Sequence, residues 1–146
     1  MADLVVTCPK TFWHEWIAEG DPAGAAWSGQ EWGWYMISRA RPPINVGDRL
    51  YVVAHGRLRG YAPVTALRGL SFDAKHGGDG VRGVYLDAAE IEASPPYHPV
   101  DQWCICRQGD AVAVTIPEPI NGFQGWRYCS WLRVQEIPFP NWRAVA

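Results

Sequence analysis

Short apolar runs and period-2 alternation dominate the chain, and only one segment shows helical spacing. "LVV" at 4–6 is a compact apolar run that predicts a short buried strand. "CPKTFWHEWIAEG" is the helical exception. Trp13, Trp16 and Ile17 recur at i, i+3 and i+4 with Phe12 on the same face, Pro9 or Thr11 sits near the start, and Gly20 is the stop. "DPAGAAWSGQEW" follows with turn formers and no stable period, which reads as a loop. "WGWYMISR" then alternates, with Trp34, Met36 and Ser38 on one side and Tyr35, Ile37 and Arg39 on the other, as a half-buried strand requires.

After the proline pair of "ARPPINVGD", the stretch "RLYVVAHGRLRGYAPVTAL" predicts a hairpin turning near Gly56, with Gly60 and Pro63 bending or bulging the return strand. Residues 69–83 are glycine-rich and polar and read as a surface loop. "VYLDAAEIEA" reads as a strand, "WCICRQGDAVAVTI" as two strands joined at "RQGD", and "PEPINGFQGWRYCSW" as a loop that ends in a strand. The sum is five to seven short strands with one helix. That pattern predicts an α+β fold, a small mixed β-barrel with one or more flanking helices.

Length makes this one domain spanning residues 1–146, because a chain of 146 residues is about one average domain and can bury a core of its own. The 48% hydrophobic and 19% charged fractions exclude disordered, coiled-coil and collagen-like classes. No run approaches the roughly 18–20 apolar residues of a membrane helix, and "MADLVVTCPK" lacks the basic region and apolar run of a signal peptide. The expectation is a cytoplasmic protein with no membrane partner. Reduced thiols then follow for Cys8, Cys104, Cys106 and Cys129. Cys104 and Cys106 share a strand face near His98, but the spacing is not that of a structural zinc site, so buried structural thiols are expected and no metal.

The formal charge of −2 conceals an asymmetry. Residues 31–70 carry six arginines (39, 41, 49, 57, 59 and 68) against Glu31 and Asp48, a net of +4. Residues 71–101 carry Lys75 and Arg82 against Asp73, Asp79, Asp87, Glu90, Glu92 and Asp101, a net of −4. Such a field steers a charged ligand without making the whole chain a polyanion binder.

The order of elements has a specific counterpart. A strand, the helix "TFWHEWIAEG" closing on Gly20, a variable loop, a strand ending in Arg39, then Gly47-Asp48, a hydrophobic strand, a turn, and the return Gly60-Tyr61-Ala62-Pro63-Val64 resemble the PUA-like superfamily, in particular its ASCH and EVE branches. The resemblance covers residues 4 to about 68 in detail and the remainder by strand count. It implies a pseudobarrel whose cleft holds a nucleobase, often modified, in RNA or DNA. ASCH-type hydrolases of acetylcytidine carry a Lys-Thr pair just after the helix-ending glycine. Here the stretch from Asp21 to Arg39 has neither residue, and Lys10 and Thr11 precede the helix. Asp48 would shape its turn, as in the resemblance, and Arg39 occupies the position of a cleft-lining arginine.

Base capture needs π-faces and polar groups that reach the base edge. Trp27, Trp32, Trp34 and Tyr35 supply faces in and just after "WSGQEWGW", with Ser28, Gln30 and Glu31 as donors and acceptors, and "NGFQGWRY" supplies Phe123, Gln124, Trp126, Arg127 and Tyr128. If the fold brings the two loops together, they form one cleft. The competing reading is that tryptophans staple the core, which suits Trp13, Trp16, Trp103 and Trp142. No Ser-His-Asp order, phosphate loop, dinucleotide fingerprint or zinc-protease helix is present, and His14 and His55 have no evident acid partner in sequence. The expected function is therefore a domain without cofactor that binds nucleic acid or a modified nucleoside or nucleotide. An ASCH-type hydrolase or ribonuclease, and a phage-type accessory protein that binds a protein partner, are the alternatives.

Overall fold

A computed structural model describes residues 2–9, 29–36, 40–71, 84–89 and 100–138. The expected helix over 9–20 and most of the loop after it lie outside the described residues, as do Trp27, Ser28, Arg39 and His98.

Among the described residues, ten short strands form three sheets. In the first, β4 (Arg57–Pro63), β3 (Arg49–Ala54), β1 (Leu4–Thr7) and β9 (Trp126–Tyr128) lie in that order. The second runs β2 (Trp32–Tyr35), β7 (Gln102–Arg107), β5 (Ala66–Ser71) and β6 (Val84–Asp87), and the third pairs β8 (Val114–Thr115) with β10 (Ile137–Pro138). No sheet closes on itself among the described residues, so the architecture is β-rich and multi-sheet. Ten strands stand where five to seven were expected. The excess comes from two- and three-residue strands whose partners are distant in sequence, a pairing that local alternation cannot reveal. No helix among the described residues is long and apolar enough to cross a membrane.

The β3–β4 hairpin is tight because His55 and Gly56 both take positive φ, 53° and 73°, the backbone that matches strand twist in a two-residue turn. A register shift follows at once: Val52 pairs with Gly60 and Val53 with Leu58, leaving Arg59 as the extra residue. Gly60 accepts a φ of 155° there. Arg59 is folded inward by the bulge, 1% exposed, and its Nε donates to the Ala54 carbonyl at 2.9 Å.

Alternation along β1 and β3 separates two cores. Leu4, Val6, Leu50, Val52 and Ala54 face a cluster shared with Trp32, Leu67, Trp103 and Ile105 of the second sheet. Val5, Tyr51 and Val53 face the opposite side, where Leu58, Ile116, Phe123 and Trp131 cover them. Both faces of the central strands are therefore buried, which explains why "LVV" and "LYVVA" read as continuous apolar runs. The chain passes between sheets at Val64–Thr65: the Val64 N–H still donates to Asp48 at 3.0 Å, and the Thr65 N–H already donates to Cys106 at 2.9 Å. Asp48 is buried and accepts from the N–H groups of Asn45 and Ala2, which fixes the turn before β3.

The two strands expected around "RQGD" exist but do not pair with each other. Val112 bridges to Tyr61 and β8 pairs with β10, so this connection carries the chain from one sheet to the far side of the other.

Candidate functional site

Of the described aromatic residues expected to share one cleft, Trp32, Trp34 and Trp126 pack on the inter-sheet core, and Phe123 lies on the opposite side of the first sheet. Trp32 is buried in the inter-sheet core, tilted against Trp34 with ring centroids 5.7 Å apart, and the Arg107 guanidinium lies 5.0 Å from its ring centre. Trp34 is half-buried and packs on the same core. Gln30 is exposed at the approach to β2. Trp126 also packs against the inter-sheet core, because it pairs with Val6, whose side chain faces that way. Arg127 pairs with Val5 and so faces the other side. Tyr128 sets its ring edge against Trp126, with centroids 5.1 Å apart, and is exposed. Gln124 is exposed in the loop before β9.

A cleft of about 330 Å³ opens on the Arg127 side. Its apolar part is Val5, Ile116, Ile120 and Phe123, with Trp131 beside them. Arg127, Tyr128, Glu118, Ser130 and Gln135 supply the polar lining. That volume suits a single heteroaromatic ring with a substituent, at the small end of ligand pockets. Two of the expected site residues, Arg127 and Tyr128, line this cleft; Trp32, Trp34, Gln30, Gln124 and Trp126 do not.

The cleft walls are held by backbone bonds to distant elements. The Ile120 N–H donates to Gly56 at 2.8 Å, the Phe123 N–H to Thr7 Oγ1 at 3.1 Å, and the Cys129 N–H to Asp3 at 3.0 Å. The Arg127 guanidinium lies over the Phe123 ring at 4.2 Å, a cation–π contact that restrains the side chain. Trp131 is held twice: its edge meets the Tyr51 ring at 5.0 Å and 74°, and its Nε1 donates to Glu136 at 3.0 Å.

Glu136 is the anchor of that wall. Its side chain is 7% exposed and accepts from Trp131, from Arg49 Nη1 at 3.1 Å, and from Tyr51 Oη in a close contact. Arg49 in turn lies over the Tyr61 ring at 4.1 Å and donates to Tyr51 Oη. Sequence reading missed this set because its members are 85 and 87 residues apart in the chain.

Burial foremost, and then the hydrogen bond to Glu136, hold the Tyr51 phenol far above its ordinary value of 10. A raised phenol favours the folded state while it stays neutral, so this contribution is complete below about pH 10 and is lost as the pH rises beyond it. Absorbance titration at alkaline pH is expected to show one of the six tyrosines ionising only as the protein unfolds. Tyr51→Phe should remove that linked component, and an unchanged alkaline profile would refute the assignment.

No protein-family model, curated protein or solved structure matches this chain.

The described cysteines are free; Cys8, Cys104 and Cys106 are buried and Cys129 is half-buried. Cys106 donates towards Cys104 Sγ at 3.7 Å, and that hydrogen bond, followed by burial, pushes the Cys106 thiol upward. Burial likewise raises Cys129. A buried thiol whose ionisation is disfavoured is a poor nucleophile, so Cys106 acts as a packing group. Among the described residues no group of three or more His, Cys, Asp or Glu side chains is placed to hold a metal ion.

Proposed function

We propose that this chain is a binding domain on a PUA-like scaffold that captures a nucleobase, plain or modified, of a nucleoside or nucleic acid, in the cleft beside Arg127. The observation that carries this reading is a rigid indole, Trp131, beside an apolar pocket, with an arginine already stacked on Phe123 at its mouth. A base inserted there gains stacking of about 1–3 kcal/mol per aromatic contact. Ser130, Gln135 and Glu118 offer a donor and acceptors for its edge. The net charge of −2 supports recognition of one base over long tracking of a phosphate backbone, which would need many more cationic contacts.

Titration of the intrinsic tryptophan fluorescence with nucleosides, plain and modified, and with short single-stranded RNA and DNA tests the reading. Saturable quenching is expected, weakened about tenfold in Phe123→Ala, which removes an aromatic wall on the Val5 side of the first sheet and the ring beneath Arg127. Absence of any spectral change at high micromolar ligand would overturn the reading. Turnover of acetylcytidine or cleavage of RNA would instead place the chain with the hydrolases or nucleases.

A further inference from the structure

The Arg127 guanidinium differs from most arginines of the described structure. Arg49 is paired with Glu136, Arg68 with Glu31 and Asp87, and Arg133 with Asp3. Arg127 makes no hydrogen bond or ion pair among the described residues; its only partner is the Phe123 ring, which orients it and accepts nothing from its N–H groups. A guanidinium resting over an aromatic ring keeps N–H groups available for a bidentate anion and loses less side-chain entropy when the anion arrives. It also stands at the cleft of about 330 Å³, and it is the only cation among the described residues that line it.

We infer that the cleft takes a nucleotide bearing a single phosphomonoester, with Arg127 gripping the phosphate while the base enters beside Trp131. This rests on the base-capture reading and adds the phosphate to it. Three features favour one phosphate over a tract of them. A second phosphate would find no second cation among the described residues that line the cleft. The cleft, about 330 Å³, lies at the small end of ligand pockets, a size that fits a mononucleotide better than a longer strand. Finally, the free N–H groups of one arginine match two oxygens of one phosphate. The phosphomonoester has two natural sources, a free nucleoside monophosphate or the phosphorylated end of a nucleic acid.

Calorimetric titration with a nucleoside, its 5′-monophosphate, and a dinucleotide with and without a 5′-phosphate separates the outcomes. The monophosphate is expected to bind about tenfold more tightly than the nucleoside, a gain expected of one charge-assisted contact. Arg127→Gln should bring that ratio close to one, Arg127→Lys should keep part of it, and Arg57→Gln, at the exposed hairpin turn, should leave it intact. A gain for the phosphorylated dinucleotide over its hydroxyl counterpart identifies a nucleic-acid end as the source; a gain confined to the mononucleotide identifies the free nucleotide. Equal affinity of nucleoside and monophosphate in the unmodified protein would overturn the inference and leave base capture standing. Binding of neither would overturn both.

Discussion

Replacing Glu136 by leucine is expected to destabilise the fold by about 2–4 kcal/mol, the largest effect of any single substitution considered for the cleft. The buried carboxylate receives Tyr51 Oη, Trp131 Nε1 and Arg49 Nη1. An apolar replacement leaves a phenol, an indole N–H and a guanidinium without their acceptor in a region that water reaches poorly. Arg49 keeps 24% of its side chain exposed and recovers some hydration, which sets the estimate below the upper end for a fully buried pair. Glu136→Gln should cost about half as much, because the amide oxygen still accepts from one donor while the charge opposite Arg49 is lost. Urea midpoints at neutral pH read both values. A loss under 0.5 kcal/mol for the leucine variant, taken as roughly the level of an ordinary surface change, would show that the wall of the cleft is not held here.

Gly33→Ala is expected to cost about 1–3 kcal/mol, although glycine in a strand is ordinarily a liability. Gly33 pairs with Cys106 across β2 and β7. A Cβ built at Gly33 would sit 2.6 Å from Cys104 Sγ, well inside contact distance. The sulfur has little freedom to yield, since Cys106 Sγ lies 3.7 Å away, and the flanking Trp32 and Trp34 hold β2 against the core. Removing glycine would alone favour folding by restricting the unfolded chain, by about 0.4–1 kcal/mol. Steric conflict outweighs it. The double substitution Gly33→Ala with Cys104→Ala should recover most of the loss, because the smaller side chain vacates the contested space. Additive losses in that double-mutant cycle would assign the effect elsewhere.

The two effects bear on different parts of the chain, and the contrast shows what was legible in the sequence. The strand at 4–7 and the hairpin at 49–63, including its bulge at Gly60, follow from local chemistry: β-branched runs, a His-Gly turn and a glycine at the register shift. Strand β2 and the inward side of Trp34 and Met36 follow from alternation. What alternation cannot supply is which strand pairs with which. β8 finds β10, Val112 finds Tyr61, and the "RQGD" connection turns out to join strands with no ladder between them.

Site residues divide along the same line. Arg127 and Tyr128 were legible as a basic-aromatic pair in a glycine-flanked loop, and they line the cleft. Trp32 carried the same local signature, yet the strand places it 9% exposed in the inter-sheet core, where an indole fills volume that no smaller residue nearby supplies. Trp126 was grouped with Arg127 by proximity in sequence, but neighbouring residues on a strand face opposite ways, and its ring turns to the other core. Trp131 and Glu136 were illegible because their partners lie on β3, more than eighty residues earlier.

The central claim is that a base enters beside Trp131 and leaves Trp32 untouched, and fluorine NMR of the 5-fluorotryptophan-labelled protein tests it most directly. The nine indoles give nine potential resonances, and Trp131→Phe and Trp32→Phe assign the two that matter. On addition of a nucleoside monophosphate, the Trp131 signal is expected to shift in a saturable manner while the Trp32 signal stays in place. A Trp131 resonance that does not move at millimolar ligand, or a saturable shift of Trp32 in its stead, would contradict the account.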